Sequence, residues 1–502
     1  MNHFGIKQCW NNFKQSGWIS YLEYDGLLRP FFILCIIYYL AITALVRANF
    51  NYIDDQGRVL YGYREWVNFS RYLSEYLSVF VNFDKQLTDI SPITQFIAIV
   101  ILSLASIILI HLFCGARKVS MVDIIAIVPL GINPYFMECM AYKFDSPYMA
   151  LSILGSVFPF IFINNARKFF VTSIIGVLIM CNTYQAASGI YVLVVLFKLL
   201  LDWIHGTNWK LCIRKGILAA VAYVLAILIF RLCFMHSIDT YVGTQMAPLN
   251  TLFWTIGQNA HRYVKLISQD FPKIWKIVIA VLTVSFVISA VWKSRQNKLI
   301  SAMLTILLLS AGLFISYGGY MALVKPLWAT RAFYGFGVFL ALIALSTTAL
   351  FKEMFDGIPL KIGLIALTWC FFVFASTFGN ALAEQKHYTD FRTNLAVADL
   401  NRLYNGEDGK KRVFQIQGNI GKSLVVERMG RRIPVLNRLV PSTLGQDWIW
   451  SEITFYQYYH LQGRQANPKK NEDLRKLDLP IVLKTPYHTI KSDGKNYLII
   501  LR

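Results

Sequence analysis

Long apolar runs separated by short polar connections dominate the first three quarters of the chain. Most runs hold roughly 17 to 22 residues, enough for a helix to cross a hydrocarbon core of about 30 Å. The pattern predicts about eleven transmembrane helices. We place them at 30–46, 93–114, 122–136, 147–163, 169–180, 188–204, 217–234, 274–292, 300–317, 331–351 and 360–378.

Basic residues in the short connections predict the orientation of these helices. Every second connection is small and basic, and the N-terminal segment is basic too. Because Lys and Arg are enriched in cytoplasmic loops, we expect this side to be cytoplasmic, and an odd number of spans puts the C-terminus outside. The basic positions are 115–120, 164–169, 206–216, 293–298 and 352–361, with Lys7, Lys14 and Arg29 near the N-terminus.

The opposite side carries longer segments of mixed charge, among them a first outer loop at about 47–92. The tail after residue 379 has no apolar run of span length. Its stretches "RVFQIQG", "SLVVERM" and "NYLIILR" predict strands, and "PSTLGQDWIWSEITFYQYYHLQG" predicts a capped helix. The predicted fold class is therefore an α-helical polytopic membrane protein, domain 1–379, with a small C-terminal α/β extracytoplasmic domain, 380–502.

Composition supports a membrane protein. The 502 residues are 56% hydrophobic and 15% charged, against about 25% charged in a typical soluble chain. The net charge of +21 fits loop topology and anionic lipid better than nucleic acid, so we expect no nucleic-acid partner. No cleavable signal peptide is expected. The eight cysteines show no CxxC spacing, which favours small buried side chains over a metal site.

The stretch "DDQGR" directly follows the first predicted span and is the first candidate for chemistry. A carboxylate at the membrane boundary stays hydrated, and of two adjacent carboxylates one can have a raised pKa and act as a base. Arg58 adds a bidentate anion site. The alternative is a structural one, in which Asp54 and Asp55 only start an amphipathic helix running from residue 58 to 80.

Three further stretches on the same predicted face add acids, bases and aromatic side chains. Each has a simple explanation by itself, such as an interfacial aromatic belt or a snorkelling lysine. Together they indicate a polar site at the outer membrane face. The residues are Glu138, Lys143 and Asp145 in one stretch, Tyr184 and Gln185 in the next, and Lys325 and Arg331 before the tenth span.

The motifs "DDQGR…G…W", "ECMAYKFDSPYMAL", "TYQAASGIY" and "TRAFYG" together resemble the type II Gtr glucosyltransferases, serotype-converting enzymes of bacteria and their phages. These are similar in plan to the polytopic GT-C glycosyltransferases. The resemblance covers about residues 52–335. Where the family pattern leads us to expect Gly-Arg-Pro after the tryptophan, this chain has Ser70-Arg71-Tyr72, and the tail from residue 380 has no match.

The resemblance implies transfer of glucose from undecaprenyl-phosphate glucose to O-antigen lipopolysaccharide, in a single inverting displacement on the periplasmic face. Asp54 would be the base, and Asp55 would orient the acceptor or Arg58. Arg58, Lys325 and Arg331 would bind the leaving phosphate, with Arg231 in reserve. Glu138 and Asp145 would contact sugar hydroxyls, and Tyr184 and Gln185 would complete the substrate site.

No cofactor is expected, and a divalent metal is not favoured. The expected partners are the lipid-linked donor, the O-antigen acceptor and membrane lipid. The expected location is the bacterial inner membrane, with a cytoplasmic N-terminus and a periplasmic C-terminus. Two other functions stay open, an O-antigen polymerase and a transporter or flippase of lipid-linked sugar, although nearly charge-free span centres and the lack of a repeat argue against transport.

Overall fold

The computed structural model describes residues 26–115, 119–236, 243, 245–350, 358–404, 412–451, 455, 463–467 and 472–502, with the backbone alone at 358–360. Several sequence-based predictions lie outside these residues. They concern Lys7 and Lys14, residues 116–118 of the first basic loop, residues 352–357 of the last basic loop, and parts of the helix predicted at 441–463.

Helices make up most of the described chain. In chain order they are α1 (Leu28–Ala48), α2 (Asp55–Tyr61), α3 (Tyr72–Asn82), α4 (Ile93–Cys114), α5 (Met121–Ile127), α6 (Pro129–Ile132), α7 (Pro134–Ala141), α8 (Ser146–Val157), α9 (Ala166–Thr183), α10 (Ser188–Ile204), α11 (Trp209–Cys233), α12 (Leu252–Asp270), α13 (Lys273–Lys293), α14 (Lys298–Ile315), α15 (Tyr334–Leu350), α16 (Ile358–Leu403), α17 (Leu424–Arg432) and α18 (Leu436–Leu439). Short 3₁₀ turns lie at Trp66–Phe69, Phe158–Phe162, Gln185–Ala187, Gly318–Ala322, Thr330–Phe333 and Leu474–Lys476.

In the described ranges, nine helices are long and apolar enough to cross a membrane. The count rises to ten if Met121–Ile132 and Pro134–Ala141, bent by 58°, form one broken span, and Ser146–Phe162 is a shorter apolar helix. Every predicted span coincides with one of these elements. The chain is therefore a helical membrane protein with a small C-terminal sheet, and the exact number of eleven spans stays a prediction.

The chain divides into two compact units. The first comprises Met1–Thr43, Arg64–Lys85 and Ile90–Ser376, and the second comprises Ala44–Tyr63, Gln86–Asp89 and Thr377–Arg502. The sequence predicted one boundary near residue 379 and did not anticipate that two pieces of the first outer loop belong with the tail. The predicted last span is also only the first part of α16, which is 46 residues long in total.

Helix α15 forms the centre of the first unit. Nearly all its side chains are buried, and it packs against α5, α6, α10 and α13. A helix that is apolar on every side is typical of the middle of a bundle. Small residues allow other helices to approach closely. A Cβ atom on Gly176 of α9 would lie 2.3 Å from the carbonyl oxygen of Gly155 on α8.

The second unit contains a five-stranded sheet, in the order β2-β1-β5-β4-β3. Strand β1 is parallel to β2 and β5, whereas β4 is antiparallel to β3 and β5. Val413 is paired with Asn496, and His488 with Leu501. The strands are β1 (Val413–Gln417), β2 (Arg464–Gln465), β3 (Ile481–Lys484), β4 (His488–Ser492) and β5 (Asn496–Leu501).

The C-terminal half of α16 packs against this sheet. Ala396 and Leu400 belong to the same apolar core as β1, β4 and β5. Arg392, 3% exposed, donates hydrogen bonds to the carbonyl oxygens of Tyr487 and Arg502 at 2.7 and 2.6 Å. The buried guanidinium thereby satisfies backbone acceptors at the end of the sheet, where an unpaired carbonyl would be costly.

Of the three strands predicted in the tail, two are confirmed and one is wrong. "RVFQIQG" and "NYLIILR" contain β1 and β5, but "SLVVERM" forms the start of α17. The Ser423 hydroxyl accepts from the Val426 amide and caps this helix, and the buried residues Val426 and Gly430 follow a helical spacing of four. The described residues 441–450 form extended and turn structure in place of the predicted helix start.

The continuous amphipathic helix predicted from residue 58 to 80 is also wrong. Helix α2 ends at Gly62, which has a left-handed backbone (φ +63°), as C-cap glycines often do. Glu65 and Ser70 flank the following 3₁₀ turn with positive φ as well. The loop contains instead the two separate helices α2 and α3. Conversely, the segment 235–273, which the basic-loop pattern predicts to lie on the outer side, contains a 19-residue amphipathic helix, α12, that the sequence analysis did not predict.

Candidate functional site

The two aspartates of "DDQGR" have different surroundings in the second unit. Asp54 stands at the N-cap position of α2, but its side chain accepts no capping hydrogen bond. It is half-buried, and its carboxylate forms no hydrogen bond or ion pair within the described ranges. Asp55 is fully buried and accepts from the Tyr52 amide at 3.3 Å. The Asp54 carboxylate is therefore available to a ligand. A carboxylate that served only as a helix cap would instead be engaged by the backbone amides of α2.

The tail packs directly on α2 within this unit. The Trp450 ring lies against Gly57, where a Cβ atom would come within 2.4 Å of the indole, and it stacks with Tyr63 at 6.3 Å between ring centroids. Trp448 donates its indole N–H to Gln56 at 2.8 Å. Residues of "DDQGR" are thus positioned by side chains nearly 400 positions later in the chain.

Gly57 gives a specific prediction. Gly57→Ala should displace the Trp450 ring and destabilise the second unit by about 1–3 kcal/mol, because the added methyl group overpacks a filled contact. Activity per folded molecule should also fall as α2 shifts. Thermal unfolding and transfer activity of the purified variant measure both effects.

The matched control is Gly257→Ala on α12, where a Cβ atom would meet nothing within 4 Å. Its stability should be unchanged or slightly higher. Equal behaviour of Gly57→Ala and Gly257→Ala would show that the Trp450 contact does not position α2.

Arg58 is buried in the same unit. It is 5% exposed, and its guanidinium carbon lies 5.8 Å from the centroid of the Tyr63 ring. A side chain this enclosed is better suited to support α2 than to reach a lipid phosphate. The sequence assigned Arg58 to substrate binding, and this assignment stays a prediction.

In the first unit, Glu138 and Arg331 come together from positions 193 residues apart. Pro134 begins α7 and the Asn133 side chain caps it, accepting from the amides of Tyr135 and Phe136. Glu138 on this helix accepts a short hydrogen bond from the Thr330 hydroxyl and pairs with Arg331 at 3.5 Å.

The environment of this pair is enclosed. Glu138 is 2% exposed, the Arg331 side chain is 15% exposed, and the guanidinium lies 5.3 Å from the centre of the Tyr142 ring. Desolvation strengthens the attraction between the two charges and makes either one costly to leave alone. Glu138 therefore holds Arg331 in place.

Asp145 lies in a second buried network of the first unit. It is 5% exposed and accepts from the Trp66 indole N–H at 2.5 Å. The Trp66 amide donates in turn to Glu75 at 2.9 Å, and Glu75 pairs with Arg64 at 3.3 Å. This network fixes the 3₁₀ turn at Trp66–Phe69, which precedes Arg71.

Arg71 has a different set of partners from the other arginines of this unit. Its Nε donates to the Gln185 side-chain oxygen at 3.3 Å, and Gln185 donates to the Phe69 carbonyl at 3.1 Å. The guanidinium lies 4.4 Å from the centroid of Tyr184 and 5.2 Å from that of Phe69. Within the described residues it forms no ion pair with a carboxylate, so its charge is available to an anion.

Aromatic rings connect these groups. Tyr184 is fully buried and stacks on Tyr334 at 5.9 Å, and Tyr334 shares a 2.8 Å hydrogen bond with Ser152. The Tyr184 hydroxyl has no hydrogen-bond partner in the described part of the chain. The Arg71 guanidinium lies over the same ring. A buried hydroxyl without a partner beside a cation favours a site that a polar ligand completes.

Arg331 allows structural and binding roles to be separated. Arg331→Ala should lower the amount of folded protein, because it leaves Glu138 buried without its cation and breaking such a pair costs about 3–5 kcal/mol. The double variant Glu138→Gln, Arg331→Met removes both charges and should restore abundance. Its transfer rate should still be about 100-fold low if Arg331 binds the donor. Near-normal transfer by the double variant would exclude Arg331 from the site.

The remaining candidate residues differ in their exposure. Lys325 is exposed, and its carbonyl oxygen accepts from the Gly243 amide at 3.0 Å. Arg231 is exposed and contacts the Met246 sulfur at 3.8 Å. Lys143 is 4% exposed. Sequence reasoning included Trp66 and Thr330 in its motifs but gave them no role, it missed Glu75, and it left the role of Arg71 open. The adjacency of Trp66 to "DDQGR" was the available signal for the Asp145 network.

Among the described residues, no group of three or more His, Cys, Asp or Glu side chains comes together in a way that could hold a metal ion. That the reaction needs no metal stays a prediction, because it concerns the protein with its substrates bound.

Comparison with known proteins identifies the family. A model of the family described as glucosyl transferase GtrII matches residues 43–342, more than half of the chain. The chain belongs to this GtrII family. The matched region contains Asp54, Arg71, Glu138 and Arg331, whereas Trp450 and the sheet lie beyond it.

A curated relative of the GtrII chain is an uncharacterized 55.3 kDa protein in the gtrB 5′ region of Salmonella phage P22. The two are 24% identical over 465 residues, which cover 86% of this chain and 92% of the relative. No solved structure matches. The resemblance to the Gtr family is therefore confirmed, and family membership indicates a membrane glycosyltransferase of the serotype-conversion type.

Proposed function

We propose that this GtrII protein transfers glucose from undecaprenyl-phosphate glucose to O-antigen lipopolysaccharide, by a single inverting displacement on the periplasmic face of the inner membrane. The arrangement of Arg71 carries the proposal. Its guanidinium is held by an amide and two rings beside the unpartnered Tyr184 hydroxyl, without a described carboxylate to neutralise it. Such a site suits a phosphate with an attached sugar.

The leaving group of this reaction is a lipid phosphate. Negative charge grows on it as the bond to the sugar breaks, and a fixed guanidinium stabilises that charge more than it stabilises the ground state. Arg71 would bind the phosphate directly. Arg331, held by Glu138, would supply the second cation.

A nearby apolar groove fits the lipid part of the donor. It has a volume of about 330 Å³ and is lined by α12, α13, α14 and α15. Its wall residue Phe271 stacks on Tyr135 at 5.8 Å, three positions before Glu138, and lies 5.7 Å from Phe336, five positions after Arg331. The wall of the groove therefore contacts α7, which carries Glu138, and includes the first turn of α15, which directly follows the 3₁₀ turn that carries Arg331.

Asp54 is the proposed base. The acceptor hydroxyl oxygen would attack the anomeric carbon, its proton would pass to the Asp54 carboxylate, and the carbon–oxygen bond to phosphate would break. Undecaprenyl phosphate would leave with the bonding electrons, and the anomeric configuration would invert. Asp55, buried on the Tyr52 amide, would orient α2 and not touch the reacting atoms.

Sugar recognition would use the polar side chains that surround Arg71. Gln185 would orient the guanidinium, and the Tyr184 hydroxyl would bond to the bound donor. Asp145 is engaged by Trp66, so its proposed contribution is to position the turn before Arg71 rather than to bind sugar through that oxygen.

One experiment separates this function from the two alternatives. Membranes of a host that makes O-antigen, with and without this chain, are supplied with undecaprenyl-phosphate glucose that is labelled in the sugar. The proposed function predicts label on O-antigen at unchanged chain length. A polymerase would lengthen the O-antigen, and a transporter would move lipid-linked sugar without forming a new glycosidic bond.

The periplasmic location leads to a topological prediction. Alkaline phosphatase fused after Arg502 in a Gram-negative host should be active, because the alternation of basic loops puts the C-terminus outside. A reporter that works only in the cytoplasm should be inactive at the same position. The opposite result for both reporters would show that the number of spans is even.

A further inference from the structure

A second cavity of the first unit lies away from the groups described above. It has a volume of about 400 Å³, far more than the roughly 30 Å³ that a water molecule occupies in the liquid. Its floor is apolar and includes Phe160, Phe169, Leu199 and Leu218 from the region of α9, α10 and α11. The same cavity is lined by three basic side chains: Lys198, Arg214 and Lys215.

A buried acid fixes two of these cations. Asp202, 8% exposed, accepts from the Lys198 ammonium at 2.7 Å and from the Lys215 ammonium at 3.0 Å. One carboxylate thus organises two lysines from different helices and neutralises only one of them. Arg214 is exposed and forms no hydrogen bond or ion pair with any residue in the described part of the chain. The cavity therefore has an excess of two positive charges.

We propose that this cavity binds an anionic glycerophospholipid, with its phosphate on Arg214 and Lys215 and an acyl chain on the apolar floor. A free anion would leave the apolar floor uncovered, and a zwitterionic lipid would not balance the excess charge. Basic pockets between transmembrane helices are typical binding places for anionic lipid headgroups.

The location in the chain agrees with a lipid of the inner leaflet. The cavity lies among the basic segments 164–169 and 206–216, on the side predicted to be cytoplasmic, where anionic lipid attracts Lys and Arg. The donor, by contrast, is proposed to bind at the opposite face. The lipid site does not depend on the transfer reaction, and its test needs no turnover.

The test uses the purified full chain, stripped of lipid in detergent. Its thermal unfolding is followed with short-chain phosphatidylglycerol, phosphatidylcholine or inorganic phosphate, because a ligand that binds the folded state raises its stability. We expect an affinity for phosphatidylglycerol about tenfold or more above that for phosphatidylcholine, and no shift with inorganic phosphate at the same concentration.

Variants locate the site. Arg214→Gln, and the double change Arg214→Gln, Lys215→Gln, should reduce the preference for phosphatidylglycerol to about twofold or less. The single variant keeps the test valid if the double variant folds poorly. The matched control is Lys210→Gln on the same helix, whose exposed ammonium lies over the Trp209 ring and outside the cavity. It should keep the full preference.

Three results would overturn the proposal. These are equal affinity of the unchanged protein for the two lipids, full preference retained by Arg214→Gln, and stabilisation by inorganic phosphate equal to that by the anionic lipid.

Discussion

Asp54→Asn should lower the rate of glucosyl transfer by about 100-fold or more while the protein folds and inserts normally. Asparagine keeps the shape of the side chain but cannot accept the proton, and general base catalysis contributes about 10²–10⁴-fold. The Asp54 carboxylate forms no capping bond in α2, so its replacement removes little stability. Initial rates at equal protein concentration, with thermal unfolding as a parallel measurement, check both parts.

Two further variants serve as comparisons for the Asp54→Asn prediction. Asp55→Asn should lower stability as well as activity, because its fully buried carboxylate accepts from the Tyr52 amide. Glu65→Gln, at an exposed acid between α2 and α3, should change neither. Transfer by Asp54→Asn at a near-normal rate would return "DDQGR" to a purely structural role and move the base to another acid.

Arg71→Ala should reduce kcat/KM for the lipid-linked donor by about 100- to 1,000-fold, the range found when one group that stabilises developing charge is removed. The loss should appear in kcat as well as in KM, since the phosphate gains charge only as the bond breaks. Arg71→Lys should recover a minor part, because an ammonium lacks the planar fork that donates to Gln185 and to phosphate together.

Arg231→Ala provides the comparison for Arg71. Arg231 also stands at a helix end on the predicted outer side, but it is exposed and contacts only the Met246 sulfur among the described residues. Its kinetic constants should stay within about twofold of the unchanged enzyme, in the range of ordinary surface substitutions. Equal losses in both variants would mean that general positive charge, and not the site around Tyr184, attracts the donor.

The membrane helices could be predicted well because their signal is local. An apolar run of span length has few alternatives, and each predicted span coincides with an apolar helix or broken helix pair. Strands β1 and β5 were also predictable, since their β-branched and aromatic residues occur in short runs bounded by polar turns. "SLVVERM" was not predictable in this way. Its β-branched valines favour a strand, whereas its serine cap and its buried residues four positions apart favour a helix.

The candidate site was predictable only in part. Glu138, Asp145, Tyr184, Gln185 and Arg331 were selected as polar residues of one predicted membrane face. The structure places them in separate clusters of the first unit: Glu138 with Arg331, Asp145 with Trp66, and Tyr184 and Gln185 with Arg71. Which atom pairs with which could not be deduced, because the pairing of Glu138 with Arg331 spans 193 positions.

Packing between distant segments was also outside the reach of the sequence. Gly57 has no side chain that would mark it as a packing residue in the sequence, yet the Trp450 ring packs directly against it. Arg71 was left in doubt because its neighbours depart from the family pattern. The structure gives it defined partners in Gln185 and Tyr184, which no short motif encodes.

The most direct test of the central claim uses the purified protein in liposomes with undecaprenyl-phosphate glucose, labelled in the sugar, and O-antigen lipopolysaccharide. We predict that label passes to the O-antigen with inverted anomeric configuration, that Arg71→Ala and Asp54→Asn each abolish most of this transfer, and that labelled UDP-glucose gives none. Transfer from UDP-glucose in the absence of the lipid donor, or retention of configuration, would contradict the account.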